Sequence, residues 1–158
     1  MRASLRENPD AGPRAVGDAS GISYFATKHA ELRDWTARLR DVARSLPQLE
    51  APERVAAVAD LVAFLEDQVE PHTRIDEAVL YPTAESRSGS PLASASMAYD
   101  HLAIRYWIAR LADADENDVD LLQELLYGLD ALIRVHLWKE DELFVKPLAS
   151  STWPASGA

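Results

Sequence analysis

The sequence predicts an all-α protein, folded as an antiparallel up-down-up-down four-helix bundle. Apolar residues recur at helical spacing in four segments of roughly 20 to 30 residues each. The connections between these segments are short, and short connections make neighbouring helices antiparallel. No stretch shows the two-residue periodicity of a strand, and no glycine-rich phosphate loop is present.

The first helix is predicted to start at Ser20 or Ser23, either of which can cap it, and to run to about Leu46. The preceding residues 1–18 are rich in Gly, Pro, Asp and Arg, which predicts a flexible N-terminal arm. The apolar stripe of this helix consists of Ile22, Phe25, His29, Leu32, Thr36, Leu39, Val42 and Leu46.

The second helix is predicted to begin with Pro52 in its first turn and to stop near Tyr81-Pro82. Pro71 lies inside this pattern and removes one backbone hydrogen bond, so we expect a kink that helps to aim His72. A polar loop is expected from 83 to 90. The stripe consists of Val55, Val58, Leu61, Val62, Leu65, Val69, His72, Asp76, Val79 and Leu80.

The third helix is predicted to start with Ser90 as cap and Pro91 in the first turn. An acidic turn, 113–118, then caps the fourth helix, which is expected to end before Pro147. The bundle would therefore span 19–147, followed by a flexible tail, 148–158. The two stripes are Met97, His101, Ile104, Ile108 and Leu111, and then Leu122, Leu125, Leu129, Leu132, Ile133, His136, Glu140, Leu143 and Phe144.

Composition narrows the class of protein. A chain of 158 residues with 47% hydrophobic and 27% charged residues is globular and can bury a core. A net charge of −10 disfavours nucleic acid and anionic membranes as partners. No apolar run could cross a membrane, and the N-terminus does not resemble a secretion signal. The absence of cysteine excludes thiolate ligands and fits a cytoplasmic location.

The four histidines form the strongest functional signal. Each lies on the apolar stripe of a different predicted helix, about ten residues from a helix end, which at roughly 1.5 Å per residue puts all four at one depth. Asp76 and Glu140 each lie one turn beyond a histidine. Six candidate metal ligands therefore converge: His29, His72, Asp76, His101, His136 and Glu140.

A metal centre would provide a partner for all six groups. Without partners, their burial would carry a high cost in free energy. Imidazole and carboxylate without thiolate suit iron, manganese or zinc. Six ligands exceed the needs of one tetrahedral zinc, whereas two metals bridged by two carboxylates use every group. Glu77 is an alternative to Asp76, although it points about 100° further round the helix.

The motifs resemble the hemerythrin family, specifically its HHE cation-binding domains. The resemblance covers about residues 22–147. It depends on lone His29 and His101, on His72-x-x-x-Asp76 followed by Leu80-Tyr81-Pro82, and on His136-x-x-x-Glu140 followed by Leu143-Phe144. It implies two iron ions, bridged by the carboxylates and by an oxo or hydroxo group. In the family such sites bind O2 or serve in iron, oxygen, nitric oxide or peroxide responses.

Two departures from the family pattern affect the expected chemistry. The family usually has glutamate where this chain has Asp76. Oxygen-carrying hemerythrins have two histidines on the third helix, but positions 97 and 105 here are Met and Arg. At least one iron should then have an extra open or water-filled position, unless Tyr106, Tyr24 or an unexpected carboxylate fills it.

The resulting prediction is a di-iron protein that binds O2, peroxide or nitric oxide, with catalase-like peroxide decomposition as the candidate activity. Met97, Phe25, Trp107 and Phe144 could form a dry wall beside the site. The alternatives are an iron or oxygen sensor or iron-buffering module, and a zinc-binding or metal-free structural bundle. A monomer or weak homodimer is expected, without nucleic acid or membrane partners.

Overall fold

The computed structural model describes residues 19–150, and this part of the chain is all-helical, without strands. The predicted arm and residues 151–158 of the predicted tail lie outside the described residues. There are four helices, connected by short segments, the first of which contains the 3-10 turn Leu46–Gln48. The helices are α1 (Ala19–Ser45), α2 (51–88), α3 (Leu92–Ala112) and α4 (119–150).

The starts of α2 and α4 follow from local chemistry. At α2, the Glu53 carboxylate accepts a hydrogen bond from the Glu50 backbone N–H at 3.0 Å, in a reciprocal capping box. At α4, Asp118 accepts from the Leu121 backbone N–H at 3.0 Å. The predicted start of α3 was wrong, because the helix begins at Leu92 and its N-cap is Pro91, not Ser90. Ser90 Oγ lies 3.4 Å from the Leu92 backbone nitrogen, which is too long for a strong cap.

Three π-turns interrupt α2 and α4: Leu65–Val69, Asp76–Leu80 and Asp141–Val145. After each turn, the next backbone N–H bonds to the carbonyl five residues back instead of four. The second residue after each turn is a proline: Pro71, Pro82 and Pro147. In a regular helix a proline ring collides with the carbonyl four residues earlier. The wider turn relieves that collision, so the helix can continue.

Two predicted helix ends were therefore wrong. The second helix does not stop near Tyr81-Pro82 but continues to Ser88, so most of the expected polar loop 83–90 is helical. Gly89 follows the last helical residue, and its φ of 69° is a left-handed conformation that suits glycine at a helix end. The last helix does not end before Pro147 but continues to Ser150. A proline was interpreted as a stop signal in both cases, whereas the π-turn before it accommodates the ring.

The core consists of two apolar clusters, one on each side of a polar layer. The larger contains Leu32, Val69, Ile104, Ile133 and Leu137, and the smaller contains Phe25, Leu80, Met97 and Phe144. Along every helix a histidine lies between a residue of one cluster and a residue of the other. The four histidines therefore share one depth in the bundle, as the sequence predicted.

A close approach of α3 to α4 occurs at Gly128. A Cβ atom added there would lie 2.3 Å from Trp107 Cζ3. We expect Gly128→Ala to lower the free energy of unfolding by about 1–2 kcal/mol, because overpacking outweighs the gain in helix propensity. Thermal unfolding of Gly128→Ala in a Trp107→Leu background is the control. There the alanine should stabilise, and an equal loss in both backgrounds would contradict the clash.

Candidate metal centre

The structure brings all six predicted ligand residues together in the buried polar layer. They form two overlapping groups, and within each group one nitrogen or oxygen atom per residue lies within 4.8 Å of the others. One group is His29, His72, Asp76 and Glu140, and the other is Asp76, His101, His136 and Glu140. Both carboxylates belong to both groups, while each histidine belongs to one.

The distances show how each carboxylate faces two helices. On its own helix, Asp76 Oδ2 lies 3.4 Å from His72 Nε2, and Glu140 Oε2 lies 3.4 Å from His136 Nε2. These are the contacts that the four-residue spacing predicts. Across helices, Glu140 Oε2 lies 3.3 Å from His29 Nε2, and Asp76 Oδ2 lies 3.9 Å from His101 Nε2.

Three of the four histidines are held from outside by a carboxylate that also pairs with a basic side chain. The Nδ1 distances to carboxylate oxygens are 2.6 Å for His29–Asp141, 2.8 Å for His101–Glu77 and 3.3 Å for His136–Asp100. The basic partners of these carboxylates are Arg33, Arg105 and Lys139, respectively. A carboxylate beside Nδ1 favours the tautomer that carries its proton there, which leaves the Nε2 lone pair for a metal.

Most of the buried polar atoms that lack hydrogen-bond partners belong to this polar layer. Buried side-chain atoms without a hydrogen bond in the described part of the chain are His29 Nε2, both nitrogens of His72, both oxygens of Asp76, Glu140 Oε2 and, elsewhere, Asp130 Oδ1. In addition, His101 Nε2 and His136 Nε2 are only 2.9 Å apart. With both Nδ1 atoms protonated, two lone pairs would face each other there. A cation would pair both with the unpartnered atoms and with these two lone pairs, so the donor set fits a metal.

The pKa values of the two buried carboxylates shift in opposite directions. Burial, with the negative charges of Glu140 and Glu77, raises the pKa of Asp76 well above its ordinary value. Burial also acts to raise the pKa of Glu140, but His29, His136 and His72 outweigh it and lower that pKa to about 2. Two carboxylates in one site resist ionising together. Without added positive charge the site therefore favours a protonated Asp76 beside an ionised Glu140.

Tyr81 is a residue of this site that the sequence reasoning did not assign. Its hydroxyl lies 2.6 Å from Glu140 Oε1 and 3.0 Å from His101 Nε2, and its side chain is buried. Burial, then the nearby Glu140 and Asp76 carboxylates, raise the pKa of Tyr81, so the phenol keeps its proton and donates to Glu140. Tyr81 follows Asp76 by five residues. This spacing corresponds to one helical turn only because the π-turn Asp76–Leu80 is wider than an α-helical turn.

The secondary ligand candidates lie elsewhere. Tyr106 is exposed and its ring lies 6.0 Å from the Arg110 guanidinium, so it does not reach the cluster. Glu77 is bound to His101 Nδ1 and Arg105 on the outer side of the layer. Trp107 packs against the larger apolar cluster and Gly128, so it does not form the expected wall. Phe25, Met97 and Phe144 do border the site, in the smaller cluster.

Four imidazoles and two carboxylates, buried at one level of a helical bundle, define a metal-binding helical protein. Comparison with protein families identifies the family: the model of the hemerythrin HHE cation-binding domain matches residues 20–148. The chain belongs to this family. Comparisons with curated proteins and with solved structures gave no significant match. None of the helices in the described part of the chain combines the length and apolarity that a membrane span requires.

The choice between Asp76 and Glu77 as ligand is testable through Glu77 itself. We expect Glu77→Gln to retain most of the metal, because an amide oxygen still accepts the His101 Nδ1–H. Glu77→Ala leaves that nitrogen without a partner, and loss of such an outer contact typically weakens metal binding about 10- to 100-fold. Metal titrations measure both. If Glu77→Gln lost metal as completely as Glu77→Ala, Glu77 would be a direct ligand. Asp76→Glu should then retain no more metal than Asp76→Ala.

Proposed function

We propose that this protein is a non-haem di-iron protein of the hemerythrin type, which binds O2 or a related small ligand such as peroxide or nitric oxide. Its ligands would be His29, His72, Asp76, His101, His136 and Glu140, with an oxo or hydroxo bridge between the two irons. The proposal includes the antiparallel order of the four helices and a cytoplasmic location. Decomposition of peroxide is the candidate reaction.

The observation that carries this proposal is the sharing of both carboxylates between two histidine pairs. One metal bound by one pair would leave the other pair unsatisfied: either the Nε2 atoms of His29 and His72 would have no partner, or those of His101 and His136 would face each other at 2.9 Å. Two metals, each bound by two histidines and both carboxylates, use the whole set. A single structural zinc would need four ligands, so it fits this donor set less well.

When bound, two iron ions would supply electron transfer and binding positions for a small oxygen-containing ligand. The chain's own residues would keep this chemistry in a fixed and dry setting. The carboxylates Asp141, Glu77 and Asp100 orient three imidazoles, and the Tyr81 hydroxyl holds one oxygen of Glu140. The Tyr81 hydroxyl lies at the edge of the site and keeps its proton, so its hydrogen bond would hold the Glu140 carboxylate in position.

The apolar border explains how bulk water would be limited. Phe25, Met97 and Phe144 are each at most 2% exposed and lie on one side of the polar layer. The larger apolar cluster closes the other side. Removal of water strengthens each electrostatic contact inside the site, because the local dielectric constant falls. A reactive ligand would therefore meet little bulk water on these two sides of the site.

Metal analysis of freshly purified protein, together with its visible spectrum before and after azide, tests the proposal. We expect about two irons per chain, as the two groups require, and absorption bands that shift when azide binds. Oxygen evolution after peroxide addition would identify an enzyme, and its absence with intact azide binding would favour a carrier or sensor. Zinc, or no metal with a featureless spectrum, would contradict the di-iron proposal.

A further inference from the structure

A cavity of about 300 Å³ opens between α1 and α2 and reaches the edge of the metal centre. Residues Lys28, Glu31 and Trp35 of α1 line one side of it, and Asp67, Gln68 and His72 of α2 line the other. Of the six candidate ligands, His72 alone lines this cavity. The α2 side includes the π-turn Leu65–Val69, to which Asp67 and Gln68 belong.

His72 also differs from the other histidines in its support. His29, His101 and His136 each have a carboxylate at Nδ1, as described above. His72 Nδ1 is buried and has no hydrogen-bond partner among residues 19–150. The side chain as a whole is 5% exposed, and it lines the cavity. Rotation of His72 would therefore break no outer hydrogen bond, whereas rotation of the others would break a carboxylate contact.

We propose that this cavity is the entry and exit site for the divalent metal ion, and that His72 is the ligand that swings out to pass it. The inference builds on the proposed function, because it requires a metal centre. Glu31 and Asp67 and the Gln68 side-chain oxygen offer hard oxygen donors at the rim, which suit a hydrated divalent cation. The overall charge of −10 attracts a cation towards the protein.

Lys28 belongs to the same rim and opposes cation entry, although its ammonium group lies 2.8 Å from Glu31 Oε2. The two metal groups should consequently exchange at different rates. The group that contains His72 and His29 borders the cavity, while the group that contains His101 and His136 is held on both histidines by outer carboxylates. One metal should leave quickly and the other slowly.

Release of metal from the loaded, full-length protein to a chromogenic chelator under reducing conditions measures this difference. We expect two phases of equal amplitude, with the faster phase slowed at least tenfold by Gln68→Trp, which fills the rim. Ser96→Trp is the matched control, because Ser96 is exposed on α3 and does not line the cavity. It should leave both phases unchanged. An unchanged fast phase in folded, loaded Gln68→Trp would overturn the proposal.

Charge substitutions provide a second test that does not depend on a bulky side chain. Asp67→Asn should slow the fast phase of cobalt(II) uptake, and Lys28→Gln should accelerate it, with final occupancy unchanged in both. Rates that are equal in the two variants would also overturn the proposal. A wild-type protein that binds no metal would instead overturn the proposed function, so the two failures are distinguishable.

Discussion

Glu140→Gln is expected to remove nearly all bound metal while the helical fold is retained. Glu140 belongs to both groups of candidate ligands and accepts a hydrogen bond from Tyr81. A neutral amide lacks the negative charge and the second oxygen through which one carboxylate can serve two metals. We expect metal affinity to fall more than 100-fold. Loss of a residue that only hydrogen-bonds a metal ligand already lowers metal affinity by up to that factor.

Metal content by elemental analysis, after dialysis against a weak chelator, measures this effect. Glu142→Gln is the matched control, because Glu142 is the same residue type two positions away and is exposed beside Lys146. It should keep full metal content. His72→Ala and His136→Ala each remove one ligand from one group, so both should fall to about half occupancy or less. Retention of two metals by Glu140→Gln would exclude the shared-carboxylate arrangement.

Removal of the metal is expected to lower the free energy of unfolding by about 4 kcal/mol or more. This figure corresponds to a free metal concentration about 1,000 times the dissociation constant. For a domain of this size, such a loss lowers the melting temperature by roughly 10 °C. The structural reason is the set of inward-facing atoms of His29, His72, Asp76 and Glu140 that have no hydrogen-bond partner among the described residues. Thermal unfolding with and without chelator measures it.

Asp76→Asn separates the stabilisation by metal from general damage to the core. The sign of its effect on the free energy of unfolding should depend on whether metal is bound. In the metal-free chain, the raised pKa of Asp76 means that its ionised form destabilises the fold. That cost is absent below the ordinary pKa of 3.8 and grows as pH rises, so the benefit of asparagine grows with pH. In the loaded protein the same change should destabilise. The same sign in both states would contradict a metal role for Asp76.

The sequence by itself determined which residues could meet. The i,i+4 pairs His72–Asp76 and His136–Glu140 need only a helix, and the apolar stripes place His29 and His101 towards the core at the same depth. These are properties of helical periodicity and of helix length, which short-range sequence patterns encode. The class of fold and the six inward-facing groups therefore required no knowledge of how the helices pack.

Only the tertiary structure decided what surrounds those groups. Asp141, Glu77 and Asp100 are charged residues beside the stripes, and their histidine partners lie on other helices. No spacing in the sequence connects such pairs. Tyr81 enters the site because a π-turn replaces the usual four-residue turn, and that turn accommodates Pro82. The cavity beside His72 depends on how α1 packs against α2, because a gap between helices is a property of two surfaces together.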